Sequence, residues 1–210
     1  MEEFYGEPKR CVNFTQSPCF EEVISVQFNE NQCLLNSYNT STTNGDLIVE
    51  GVLLILSDGK VADIVRHCWN KHDNTYYDVT KDYVWNTDEF QTRLHEIIHG
   101  EVSYQYFSCG EYKATEYVNG TEIEFKYDYS FLISYMRQKI SLIKPEDWVQ
   151  LKSDNAMEYN VRGISETGNI LDCLTFGGGR CMLNKTDIEL IIDKDRLEYL
   201  DSRKNELFNI

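Results

Sequence analysis

The sequence predicts an α+β fold: a helix bearing a cysteine packs on an antiparallel sheet, and a small β-rich C-terminal module follows. Three observations carry this expectation. A helix-type stretch opens at Cys33. Two long β-type runs, 47–56 and 60–69, are joined by the turn Ser57-Asp58-Gly59. Beyond about 145 the chain breaks into short strands separated by Ser-, Asn- and Gly-rich turns. The expected domains are 1–144 for the main body and 145–210 for the module.

Residues 21–28 alternate through Val23, Ser25, Val26 and Phe28, which suits a short strand or a loop. Asn31 is a candidate N-cap for a helix of roughly three turns carrying Cys33 in its first turn. The Thr/Ser/Asn/Gly cluster from Thr40 to Gly45 is expected to end that helix. After the 47–56 and 60–69 strands, His72-Asp73 reads as a tight loop leading to a third strand, 74–80. Residues 88–99 have helical spacing, with Phe90, Leu94, Ile97 and Ile98 on one face, and Gly100 stops them. Two or three strands are expected in 101–126, with a hairpin at Asn119-Gly120, then a helix over 129–143 ended by Pro145. The module offers strands at 148–152, 158–165, 170–175 and 180–183, and a short helical or mixed end over 187–199. Its run Gly177-Gly178-Gly179-Arg180 lacks a following Lys-Ser/Thr, so it reads as a turn and not as a phosphate loop.

Composition narrows the function classes. With 20 Lys+Arg against 35 Asp+Glu the net charge is -15, which repels a nucleic-acid backbone, and no basic stripe opposes it. The longest apolar run, Val52 to Leu56, is far too short to span a bilayer, and no apolar h-region follows a basic start. The 7 Cys are odd in number and show no C-x-x-C spacing, which argues against a disulfide framework or a zinc knuckle. A cytoplasmic protein with no nucleic-acid or membrane partner is the expectation.

The chemistry concentrates on three residues. A thiolate nucleophile needs a lowered pKa, a base to manage the proton and a group to orient that base. Cys33 at a helix N-terminus meets the first need through the helix dipole and the free N–H groups. If His72-Asp73 is the hairpin loop, Lys71 pairs with Asn74, Trp69 with Tyr76, and His67 with Asp78. Asp78 can then fix the imidazole tautomer and stabilise its cation. A one-residue slip would turn Asp78 to the other face. Free cysteines are more often inert buried hydrophobes, so it is the joint pattern that carries weight.

The strings Cys33-x-x-Asn36-Ser37, Val49-Glu50-Gly51, His67-Cys68-Trp69-Asn70 and Tyr77-Asp78-Val79-Thr80 together resemble the papain-like, transglutaminase-like cysteine enzymes. The resemblance covers roughly residues 30–80. It implies a nucleophilic Cys at a helix start, a His on the next long strand and an Asp on the strand after it. Cys68 stands where Ala or Ser is more usual. By the resemblance, Cys33 is nucleophile, His67 base and then acid, Asp78 orienter, and Trp69 packs beside the site. Asn36 belongs to the same site-shaping set, and the oxyanion falls to the Cys33 backbone N–H with Gln32 or Gln27. The implied function is that of a thiol hydrolase or acyltransferase acting on the amide bond of a protein, peptide or small molecule through a thioester, with no cofactor or metal. A non-catalytic binding protein on the same scaffold is the alternative.

A rival motif, His95-Glu96-Ile97-Ile98-His99, has the H-E-x-x-H pattern of a zinc peptidase on an expected helix. No His follows His99 and the 129–143 stretch offers no acidic side chain, so a third ligand is missing.

Overall fold

The computed structural model describes residues 2–3, 6–18, 30, 32–117 and 122–190. It is a mixed α+β protein with two five-stranded antiparallel sheets and one short parallel strand pair, and its two compact units divide between Ile133 and Ser134. The first unit contains, in chain order, β1 (Glu2–Glu3), β2 (Lys9–Arg10), α1 (Cys33–Asn44), β3 (Leu47–Ser57), β4 (Lys60–His72), β5 (Thr75–Tyr77), α2 (Asp88–Ile97), β6 (Val102–Tyr112) and β7 (Tyr127–Asp128). Helix α3 (Ser130–Lys139) spans the division. Among the described residues no helix is long and apolar enough to cross a membrane.

The main sheet runs β2-β6-β3-β4-β5, all antiparallel. β3 lies at its centre because its near-continuous apolar run can be buried on both faces: Ile48, Val49, Val52, Leu53 and Leu54 have no exposure. The turn to β4 is Asp58-Gly59, at φ 48 and 76. Positive φ at both central residues matches the twist of the flanking strands.

The next hairpin departs from expectation. Its loop is Asp73-Asn74, with Asp73 at φ 50, and the pairs are His72–Thr75, Lys71–Tyr76 and Asn70–Tyr77. Moving the loop by one residue offsets the pairing by two, so His67 does not lie directly across from Asp78. Two is an even number, and every side chain keeps its face. β5 also stops at Tyr77, three residues short of the expected end, because Asp78 turns the chain into a helical segment. Its main-chain oxygen accepts the Asp82 N–H at 2.9 Å and its Oδ1 accepts the Lys81 N–H at 3.0 Å. A π-helical turn, Lys81–Trp85, follows.

Helix α1 runs to Asn44, a little over three turns, and ends within the expected Thr40–Gly45 cluster. Its hydroxyls find partners within the helix, Thr40 Oγ1 on Asn36 O and Thr43 Oγ1 on Asn39 O, each at 2.9 Å. Gly45, at φ 77, then closes the helix by donating to Ser41 O at 2.8 Å. Gln32 occupies the N-cap position without a side-chain cap bond. Asn31, the expected cap, lies outside the described residues, as do the 21–28 stretch and the Asn119-Gly120 turn.

Helix α2 is capped by Thr87, whose side chain accepts the Phe90 N–H, and it stops at Ile97 with Ile98 extended. It is two residues shorter than expected. β6 is one long strand where two or three were expected, bulged against β3 between Glu50 and Gly51. α3 is likewise shorter than 129–143: Ser141 at φ 56 breaks the helix ahead of Pro145.

The second unit adds β8 (Trp148–Leu151), β9 (Asp154–Ile164), β10 (Ile170–Thr175), β11 (Arg180–Asn184) and β12 (Ile188–Leu190) in one antiparallel sheet of order β11-β10-β9-β8-β12. Its core holds Ile143, Val149, Val161, Leu171, Cys173, Ile188 and Leu190. The triple-glycine run is the β10–β11 turn, with the Thr175 N–H on Gly179 O at 2.8 Å.

Gly51 marks the tightest backbone approach in the main sheet. A Cβ there would sit 2.1 Å from Phe107 O and 2.7 Å from the Trp69 ring. Gly51→Ala is expected to cost about 1–3 kcal/mol, as overpacking of a filled core does. Urea unfolding checks this, and an unchanged midpoint would contradict the packing described.

Candidate functional site

The pleat of β4 distributes the site over two faces. His67 and Trp69 point to one face, Cys68 and Asn70 to the other. Helix α1 lies on the Cys68/Asn70 face. Asn70 Nδ2 donates to Ser37 O at 2.9 Å, and Asn36 Nδ2 donates to Thr80 Oγ1 at 3.0 Å. These bonds set the helix against the strand. Four residues back from Ser37 is Cys33, about 6 Å along the helix. Two residues back from Asn70 is Cys68, about 6.6 Å along the strand. The helix tip therefore meets β4 beside Cys68. β5 pairs only with Asn70–His72, and among the described residues no strand pairs with the flank of β4 at His67 and Cys68 on that side. The Cys33 sulfur lies on this flank, near enough to Cys68 and to the His67 ring for both to lower its pKa.

His67 is 2 % exposed, and its Nε2 meets Asp78 Oδ2 at 2.8 Å. Asp78 is equally buried and takes two more hydrogen bonds, from Tyr106 Oη at 2.8 Å and from the Lys81 N–H. With Nε2 engaged, Nδ1 is the ring nitrogen left to the sulfur. The ring is held flat by Trp85, 4.9 Å away at 28°, and by Trp69, 6.1 Å away at 21°.

Charge follows from this geometry. The neighbouring Cys68 thiol, outweighing burial and helped by the His67 ring, holds the Cys33 thiol well below the ordinary range. Burial alone would lower the His67 pKa, but the Asp78 carboxylate and the Cys33 sulfur raise it to about 10. Burial would push Asp78 up, yet the His67 charge and three donors hold it below the usual carboxylate value. The Cys68 thiol is pushed up by burial and then by Cys33, so it stays a protonated donor. All three shifts favour the charged set of thiolate, imidazolium and carboxylate over the neutral one.

Of the residues singled out in the sequence, Cys33, His67 and Asp78 come together and Trp69 packs behind His67. Asn36 is fully buried and spent on Thr80 and the helix. Gln32 is exposed at the helix start, and Gln27 lies outside the described residues. The rival zinc motif loses its helical premise: α2 ends at Ile97, so His99 leaves the helix that carries His95, and its main-chain oxygen accepts a bond from Ser57. Among the described residues no group of three or more His, Cys, Asp and Glu side chains could hold a metal ion. Three contributors went unread: Cys68 as a partner of Cys33, Trp85 and Tyr106. Only Cys68 had a signal, as the unusual neighbour of His67. The other two reach the site through the helical turn after Asp78 and through β6.

Folding raises the proton affinity of His67, so its contribution to stability is full below its ordinary value near 6.5 and is lost as pH rises through about 10. Folding lowers the affinities of Cys33 and Asp78, so theirs are full above the ordinary values and are lost as pH falls through the depressed ones. Urea midpoints are expected to hold a plateau through neutral pH and to fall at both ends, with a shallower alkaline fall in His67→Ala, where the raised buried thiols and tyrosines still titrate. Alkylation of Cys33 by iodoacetamide is expected to proceed well below the usual thiol range in the native protein and to need a higher pH in that variant. A native pH profile like that of free cysteine would contradict the assignment.

Compared with known protein families, with curated proteins and with solved structures, the chain matches none.

Proposed function

We propose that the protein is a thiol hydrolase or acyltransferase that acts on an amide bond through a thioester on Cys33. The observation that carries this reading is the buried hydrogen bond between Asp78 and His67, with the sulfur of the first residue of a helix beside the same imidazole. The resemblance to papain-like, transglutaminase-like enzymes supports it. So does the element order: a helix with Cys, a long strand with His, then Asp.

In the first half-reaction the Cys33 thiolate adds to the substrate carbonyl and negative charge moves to its oxygen. N–H groups of the first turn of α1, Cys33's own among them, have no partner inside the helix and can receive that oxyanion. His67, already protonated, gives its proton to the departing amine, and the thioester remains. Asp78 keeps the ring oriented and offsets its charge while protonated. Water or an amine, deprotonated by the now neutral His67, then attacks the thioester and releases Cys33. A protein, peptide or small amide fits this chemistry, and the scheme draws on this chain's own side chains throughout.

Cys33→Ser is expected to abolish turnover and labelling by thiol-directed electrophilic peptides while the thermal midpoint stays near that of the native protein. His67→Ala is expected to slow the reaction by ~10²–10⁴-fold, the usual worth of a positioned acid–base group. Turnover of amide and thioester substrates by both variants is the measurement. Native-level rates in Cys33→Ser would sink the reading.

A further inference from the structure

Cys68 has no role in the scheme above, yet it is the side chain nearest in kind to the nucleophile. It is fully buried, next in sequence to His67, and belongs to the cluster of Leu34, Ile48 and Tyr117 against which Cys33 packs. The Asn70–Ser37 bond and the matched steps of helix and strand bring the two sulfurs together. The helix tip sits on an open strand flank, and among the described residues no strand stands between them. Among the other described cysteines, Cys11 lies in the cluster of the opposite sheet face, with Val49 and Trp69. Cys173 and Cys181 face each other across β10 and β11 in the second unit.

We propose that Cys68 is the resolving thiol of Cys33, so that a peroxide switches the site off by closing a reversible Cys33–Cys68 disulfide. The Cys33 thiolate attacks one peroxide oxygen. The O–O bond breaks, Cys33 becomes a sulfenic acid, and the leaving hydroxide takes the His67 proton as water. The Cys68 sulfur then attacks the sulfenic sulfur. Its S–H proton leaves with the sulfenic hydroxyl as a second water, and the S–S bond forms. Peroxide is reduced to two waters and the two thiols supply the electrons. A dithiol reverses the step by exchange.

The division of labour between the sulfurs fits their surroundings. Cys33 is half-buried and anionic, and therefore meets the oxidant first. Cys68 is sealed from solvent and held protonated, so it stays inert until its neighbour is oxidised. Closing the disulfide takes the nucleophile away from the imidazole. It also protects Cys33 from the irreversible sulfinic and sulfonic acids.

This inference shares the reactive Cys33 thiolate with the proposed function but does not depend on acyl transfer. The test treats the reduced full-length protein with stoichiometric hydrogen peroxide, blocks free thiols with iodoacetamide and maps the peptides by mass spectrometry. A Cys33–Cys68 linked peptide is expected, with Cys33 labelling restored by dithiothreitol. Mapping is needed because Cys173–Cys181 can also link. In Cys68→Ala, and in Cys68→Ser as a second variant, Cys33 is expected to go on to the sulfinic acid and to recover little label with dithiothreitol. Sulfinic Cys33 in the native protein, linkage of Cys33 to another cysteine, or full recovery in both variants would each overturn the switch. If reduced Cys33 labels readily but never links to Cys68, the switch falls and the thiolate reading stands. If it does not label at all, both fall.

Discussion

The bond between His67 Nε2 and Asp78 Oδ2 is a buried charge pair, and burying two charges is worthwhile only when their remaining hydrogen-bonding capacity is satisfied. Asp78 meets that condition with three donors from three parts of the fold. His67 comes from the middle of β4, Tyr106 from β6, and the Lys81 N–H from the turn that Asp78 itself caps. The carboxylate thus ties three parts of the chain to one point. Removing it would leave a buried imidazolium unpaired, a tyrosine hydroxyl unsatisfied and a helical turn uncapped. His67 is in turn fixed from both sides, by Asp78 at Nε2 and by Trp85 against its ring face.

That turn explains why much of the fold was legible and part of the site was not. The strands β3 and β4 and the Asp58-Gly59 turn could be read because their signals are local: an apolar run, a dipeptide able to take positive φ, alternation on either side. The second hairpin needed a finer distinction. His72-Asp73 and Asp73-Asn74 are nearly equal loop candidates by residue type, and it is the pairing of His72 with Thr75 that selects the second. Because the resulting shift is even, the expected partnership of His67 and Asp78 survived a wrong register. Asp78-x-x-Lys81 was also a readable cap, an Asp whose side chain accepts the N–H three residues on, but the β-like Tyr76-Tyr77 before it concealed the change of structure. Trp85 and Tyr106 had no sequence signal, since both arrive by tertiary packing.

Glu50 shows how the same sheet accommodates a second buried carboxylate without a basic partner at hydrogen-bond distance. It lies on β3 directly opposite Cys68 of β4 and accepts from the Lys126 N–H at 2.8 Å and the Tyr129 hydroxyl at 2.7 Å. Neutral donors satisfy its lone pairs, but its charge still acts on its neighbours. It helps push the thiols of Cys68 and Cys109 upward. The Cys33 sulfur is governed by other neighbours: an imidazolium, a thiol donor and a backbone N–H, at the positive end of a helix.

In a chain of net charge -15 a stable thiolate requires a local field opposite to the mean one. The sheet supplies it by separating charges according to face. His67 rises from the Trp69 face of β4, while Glu50 and the cluster around Cys68 occupy the other. The Cys33 sulfur lies at the strand flank, where it can interact with both. Moving it inward over the Cys68 face would bring it toward Glu50 and away from the imidazole. Moving it outward would forfeit the Cys68 N–H. The position of α1 is therefore the quantity the site is most sensitive to. That position is set well away from the sulfur, by the Asn70–Ser37 and Asn36–Thr80 bonds one helical turn further along.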